Sequence, residues 1–239
     1  MNLRGLLKIQ PKPTGATEAY NLWAAGYDNQ PDNLVLDLEN ALFTGLTRFI
    51  NFENKTVADV GCGTGRHWKK IRDEHPKELI GFDVSEKMLE QLARKFPGAQ
   101  TRILKSHRLE GLEDKKTDVL ISTLAAAHIR DIETSFKEWN RVLKQNAGIL
   151  LTDYHPVALE RNASRTFRHQ GKLISVKSYV HPLKKIRQLA EQNGWLEEAF
   201  METNVDEKVK PYYAGQNALH VYESMKGTPI VFGFRFKKI

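Results

Sequence analysis

Short apolar runs alternate with amphipathic stretches along this chain. Val57-Ala58-Asp59-Val60 reads as a buried strand that turns through Gly61, Gly63 and Gly65 into a cationic segment, Arg66–Ile71, with helical spacing. Leu79–Asp83 is a second apolar strand ending in an acid. Ser85 caps a helix with Met88, Leu89, Leu92 and Phe96 inward, stopped at Pro97-Gly98. Thr101–Lys105, Thr117–Thr123 and Ile149–Asp153 read as the third to fifth strands. Between the last two, Asp131 caps a helix with Ile132, Phe136, Trp139, Val142 and Leu143 inward, stopped at Asn146-Ala147-Gly148. This alternation predicts an α/β, doubly wound, mostly parallel sheet.

The flanks follow the same logic. Ala16–Tyr27 predicts a short helix with Tyr20, Trp23, Ala24 and Tyr27 three and four apart, and a second helix carries Leu34, Leu38, Leu42, Leu46 and Phe49 on one face. Residues 1–15, with Pro11, Pro13 and Gly15, predict an extended arm. After the fifth strand the period changes to two: 165–169 and 172–177 around Gln170-Gly171 predict a β-hairpin. A helix resumes at Pro182 and ends at Asn193-Gly194. Strands near 196–202 and 230–237 close the chain, with a mixed segment between them through Tyr212, Tyr213 and Tyr222.

The glycine turn is the candidate chemistry. A buried strand turning through glycines into a helix brings bare backbone N–H groups against a ligand. Asp83 follows at about the 20-residue separation expected of a ribose-binding acid. Ligands of such sheets bind beyond the carboxyl ends of the strands, where the turn, Asp83, Ser106, Ser122 and His155 would gather.

At Asp59-Val60-Gly61-Cys62-Gly63-Thr64-Gly65 and Gly81-Phe82-Asp83-Val84-Ser85 the chain resembles the class I S-adenosylmethionine-dependent methyltransferases, in particular their small-molecule group. The resemblance runs from about Tyr20 to the C-terminus and is most specific from Val57 to Asp153. It implies a Rossmann-like sheet of seven strands with an antiparallel C-terminal strand, and S-adenosylmethionine as cofactor, leaving as S-adenosylhomocysteine. It assigns the methionine part of the cofactor to Asp59, Gly61, Gly63 and Gly65, and both ribose hydroxyls to Asp83. By the same resemblance Tyr27 closes the pocket over the methionine end. Adenine falls to Ser106 and the backbone of His107, although relatives often carry an acid where Ser106 stands. The expected layout is one domain over residues 1–239: arm and helices 1–50, cofactor-binding core 51–155, a lid insert 156–181, and a closing helix and strands 182–239.

Methyl transfer to oxygen or nitrogen calls for a base near neutral pH, which points to histidine. His155, at the end of the fifth strand, is the first candidate; His128 and His181 follow. The hairpin region brings Arg161, Arg165, Arg168, His169 and Lys172, either as solvated charge or as a lid gripping an anionic acceptor; the hairpin is alternatively a dimer contact.

Composition changes the picture little. At 239 residues, 41% hydrophobic and 27% charged, the chain is an ordinary globular one. Nothing in it reads as a membrane span, a secretion signal or a metal site. The single cysteine, Cys62, cannot form an internal disulfide, so a reducing cytoplasm is the expected compartment. The net charge of +7 is spread along the chain rather than clustered, which argues against a nucleic-acid partner. A dinucleotide oxidoreductase shares the first strand, turn and Asp83, but its third glycine would fall at Arg66. An RNA or protein methyltransferase and a non-catalytic cofactor-binding module remain as alternatives.

Overall fold

The computed structural model describes residues 12–239. The extended arm expected over 1–15 therefore lies outside the described residues for 1–11. Each apolar run becomes a strand: β1 (Thr56–Val60), β2 (Glu78–Asp83), β3 (Gln100–Ile103), β4 (Thr117–Thr123) and β5 (Leu143–Tyr154). β6 (Thr166–His169) and β7 (Lys172–Ser175) form the hairpin, and β8 (Trp195–Asn204) and β9 (Pro229–Lys238) complete the large sheet. Its order is β3-β2-β1-β4-β5-β9-β8. β1 to β5 pair in parallel, and β9 runs antiparallel to both β5 and β8. This is the expected seven-stranded, mostly parallel sheet. All five residues of β1 are buried, as a central strand covered on both faces requires. Because β2 and β4 flank β1 on opposite sides, the chain direction reverses there and opens a crevice at the carboxyl ends of the strands.

Helices α1 (Ala16–Trp23), α2 (Leu34–Thr47), α3 (Trp68–Arg72), α4 (Glu86–Lys95) and α5 (Ile132–Val142) follow the predicted stripes. Ser85 caps α4, its hydroxyl accepting from the Met88 N–H at 3.2 Å. Asp131 caps α5 by accepting from the Thr134 N–H at 3.1 Å. One sheet face holds Phe136, Trp139 and Trp195 in a stacked series. The other buries Phe43, Trp68 and Leu92.

Three elements depart from the sequence reading. α2 stops at Thr47, leaving Phe49 75% exposed beneath the Arg235 guanidinium rather than on the buried face. α5 stops at Val142, and Leu143 opens β5, whose pairing with β4 jumps from Leu143 to Gly148. The Asn146-Ala147-Gly148 segment expected to end the helix sits in that irregularity, with Asn146 at φ 64°. The mixed tail segment is helical: α6 (Pro156–Glu160) and α7 (Leu183–Gln192) precede β8, while α8 (Lys210–Gly215) and α9 (Leu219–Met225) lie between β8 and β9. Tyr213 and Tyr222 of these last two are fully buried against each other. Among the described residues no helix is long and apolar enough to cross a membrane.

Candidate active site

The turn after β1 is shaped by its glycines. Gly61 has φ 78°, and a Cβ there would stand 2.3 Å from the Cβ of Ala125, so conformation and space both demand glycine. Gly63 donates its N–H to Asp83 Oδ2, and Ser85 donates to Asp83 Oδ1, each at 2.8 Å. Asp83 is 7% exposed. Burial raises its carboxyl to about 6 against the pull of these N–H groups. Asp59, one turn back, accepts from Trp68 Nε1 at 2.9 Å, while its Oδ1 is buried without a partner among the described residues. Burial raises Asp59 to about 7, with the Trp68 bond opposing and the Asp83 charge adding.

Gly61, Gly63 and Asp83 floor a cavity of about 640 Å³, open mouth included, walled by Tyr20, Met88, Leu104 and His128. A smaller recess of about 320 Å³ shares Tyr27, Gly61, Gly63 and Thr123 with it and adds Asp59, Thr64, Arg66 and His67. An apolar slot thus adjoins a polar one. Behind the recess, Glu39 of α2 is wholly buried and accepts from Arg66, from His67 at 3.0 Å and from Thr152 at 2.7 Å. Burial pushes Glu39 up, but Arg66 and His67 carry it down to about 2. This carboxylate fixes the orientation of the turn's cationic exit.

α1 and the segment after it roof the cavity through Ala16, Tyr20 and Tyr27. Thr64 donates to Asp28 at 2.6 Å, and Asp28 also meets Lys95 at 2.8 Å. Asn21 accepts from the Ser85 hydroxyl at 2.7 Å. Tyr20 shares a hydrogen bond of 2.9 Å with His128 Nε2, and the other His128 nitrogen meets the Lys177 carbonyl at 2.8 Å. Donation to that carbonyl places the proton on Nδ1 and leaves Nε2 as the acceptor. Burial pulls His128 down to about 4.

A match to a methyltransferase domain spans residues 58–151, which hold the turn, Asp83 and strands β2 to β4. This methyltransferase domain supports a class I S-adenosylmethionine-dependent methyltransferase. An S-adenosylmethionine-dependent methyltransferase from Mesorhizobium loti shares this fold, with a TM-score of 0.65, 15% identity, and coverage of 84% of this chain and 97% of that one. A protein of Haemophilus influenzae is 26% identical over 165 residues, 66% of this chain and 64% of its own length. A tRNA U34 carboxymethyltransferase of Campylobacter fetus is 46% identical over 43 residues, 18% of this chain and 15% of its own. The chain covers less than two thirds of the length of the curated relatives it matches first.

Of the residues that resemblance to the class I methyltransferases singled out, Tyr27, Gly61, Gly63 and Asp83 line the main cavity and Asp59 lines the recess. Gly65 instead lets α3 and α4 close up, since a Cβ there would lie 3.1 Å from both Leu92 and Trp68. Ser106 is exposed, its hydroxyl accepting from the Arg108 N–H, and His107 bonds Ser135 at 2.8 Å. Neither lines the cavity; Leu104 holds that wall. Ser122 is wholly buried with its hydroxyl unpartnered among the described residues, whereas Thr123 lines both spaces. Successive strand residues face opposite sides, so one position decides it.

His155 is placed elsewhere. Its Nδ1 accepts from the Val157 N–H at 3.2 Å to cap α6, and Nε2 stands 3.4 Å from Glu202 of β8. His181 gives its Nε2 to the Ile129 carbonyl at 2.8 Å. His128 is the histidine at the cavity. Tyr20, Thr64 and Asp28 carry roles the sequence reading did not give them. The seven-residue spacing of Tyr20 and Tyr27 on the first helix was the available signal.

Proposed function

We propose that this protein transfers a methyl group from S-adenosylmethionine to oxygen or nitrogen of a small-molecule acceptor. The observation that carries this reading is the buried Asp83 carboxylate, tied to the Gly63 N–H at the cavity floor. Two N–H bonds leave Asp83 further lone pairs for ribose hydroxyls. The unpartnered Asp59 Oδ1 in the polar recess suits a cationic amino group, and the apolar slot at Met88 and Leu104 suits a flat ring. The residues present therefore fit the cofactor.

When bound, the cofactor supplies a methyl on a sulfonium, open to direct displacement. With Asp59 and Asp83 holding the cofactor, transfer would join the acceptor lone pair to the methyl carbon and leave the broken bond's pair on sulfur. What the chain contributes first is placement, which alone supplies a large share of such an acceleration. The Tyr20–His128 pair contributes the proton path. Tyr20 takes the acceptor's proton as its own passes to His128 Nε2, which is unprotonated near neutral pH. The roof of α1 over the cavity favours a small acceptor over a base held in a polymer, which is why the tRNA enzyme's acceptor is not carried over.

Calorimetry tests the reading: S-adenosylmethionine and S-adenosylhomocysteine should bind and nicotinamide dinucleotides should not. S-adenosylhomocysteine release over a panel of small hydroxyl and amine compounds then finds the acceptor. Dinucleotide binding without S-adenosylhomocysteine binding would overturn it.

A further inference from the structure

Of the cations around the hairpin, one is turned inward. Arg161 donates to Thr228 at 2.6 Å, Arg168 is exposed and donates to the Gly171 carbonyl, and Lys172 is exposed. Arg165, one residue before β6, is 3% exposed. Its guanidinium carbon lies 5.7, 5.2 and 5.4 Å from the ring centres of Tyr20, Trp23 and Tyr27, and its Nη2 donates to the Tyr27 hydroxyl. Nε and Nη1 are buried and find no partner among the described residues. Asp153 acts on this charge only from a distance: it makes no hydrogen bond to Arg165, and its oxygens accept from the Ala127 and Tyr154 N–H groups, each at 2.7 Å.

Ring faces offset part of the cost of burying a cation. They do not replace an anion bonded to an idle donor, and an unpaired buried charge is costly. Nε and Nη1 lie on different edges of the guanidinium, so a planar carboxylate would pair with one of them together with an Nη2 N–H. Two of the three cage rings, Tyr20 and Tyr27, also wall the cofactor cavity. All three belong to the roof, which side-chain latches hold down.

We propose that Arg165 is the anchor for a carboxylate of the methyl acceptor, presented to the cavity when the roof lifts. The inference rests on the methyl-transfer reading and names its acceptor class: small carboxylic acids. Tyr27 positions the guanidinium, and the hairpin places Arg165 by holding β6 against α1 through the Trp23–Phe167 stack at 4.4 Å.

Acetate is the probe, with neutral acetamide as control, followed by thermal unfolding of the full chain with and without S-adenosylhomocysteine. Acetate should raise the midpoint saturably and acetamide should not. Arg165→Met should lose acetate affinity by about tenfold or more, while Arg165→Lys keeps a weakened response. Arg165→Met should also leave the ligand-free midpoint unchanged or higher, because it removes an uncompensated charge while keeping an apolar stem in the cage. No saturable acetate response, or an equal response in both variants, would overturn the assignment. So would an Arg165→Met protein that binds S-adenosylhomocysteine at least about tenfold more weakly but methylthioadenosine as before, since the carboxylate would then be the cofactor's own. Failure of the parent to bind S-adenosylhomocysteine strikes the methyl-transfer reading, while the acetate arm still reads Arg165. Arg165→Lys keeps the test decisive if the methionine variant does not fold.

Discussion

Gly63 donates its backbone N–H to Asp83 Oδ2 at 2.8 Å, joining the turn after β1 to the end of β2. Two segments some 20 residues apart, each an expected half of a nucleotide site, are one hydrogen-bonded unit before any ligand arrives. Asp83→Ala removes a charged acceptor and also frees the Gly63 and Ser85 N–H groups. A charge-assisted bond of this kind is worth roughly 1.5–3 kcal/mol, so S-adenosylhomocysteine affinity should fall about ten- to a hundredfold. Calorimetry on a variant with unchanged circular dichroism measures it. Unchanged affinity would remove Asp83 from the site.

Asp59 yields a pH-dependent stability. Its folded carboxyl is raised to about 7, above its ordinary value of 3.8, mainly by burial. Between those values the folded state holds a proton that the unfolded state has lost, so this group's contribution falls as pH rises from 3.8 to 7 and is flat above. Asp59→Asn removes that cost while its amide oxygen still accepts from Trp68. The ligand-free variant should match the parent near pH 4 and exceed it above pH 7, by at most about 4 kcal/mol. Denaturant titrations across that range measure the difference. A constant difference at every pH would show that Asp59 does not titrate in this window.

The two histidines separate by assay. His155 caps α6 and faces Glu202, so His155→Ala should lower stability by about 1 kcal/mol and leave turnover on any identified acceptor near the parent value. His128→Ala should lower kcat by about a hundredfold or more while S-adenosylhomocysteine binds nearly as before. Equal losses from both would return the strand-five terminus to the chemistry.

The glycine turn, Asp83 and the central strands were legible because each is local: a strand, its turn and its acid are contiguous, and parallel central strands are mostly apolar. The caps at Ser85 and Asp131 were legible for the same reason. His155 was misplaced because a strand end fixes where a backbone arrives but not which way the next side chain turns; its pairing with Glu202 depends on β8, some 45 residues on. Ser122 and Thr123 differ by one step of a period-two pattern whose phase the run of apolar residues Val119–Ile121 does not give. Helices α8 and α9 were missed because Tyr213 and Tyr222 lie in short segments that are stable only through tertiary packing. Arg165 stood among the hairpin cations in the sequence, and only its packing against α1 set it apart.

The roof supplies the last prediction. Asp28 ties the segment after α1 to Thr64 in the glycine turn at 2.6 Å and to Lys95 of α4 at 2.8 Å. The Lys95 contact is part-exposed and contributes little. The Thr64 bond is buried on one side, with Thr64 1% exposed, and is charge-assisted. Because Tyr20 of α1 and Tyr27 of this segment wall the cavity, the roof must lift for a cofactor to enter or leave. Asp28→Ala favours the lifted state by about 1–2 kcal/mol, so S-adenosylhomocysteine dissociation should quicken by about five- to thirtyfold. Association should rise by less, because entry also depends on encounter. Thr64→Val removes the same bond from the other side and should give the same kinetic change. Stopped-flow fluorescence reads both rates through Trp23, which stands 5.2 Å from the Tyr27 ring. Rates unaltered in both variants would mean that the roof is fixed and that ligands pass by another route.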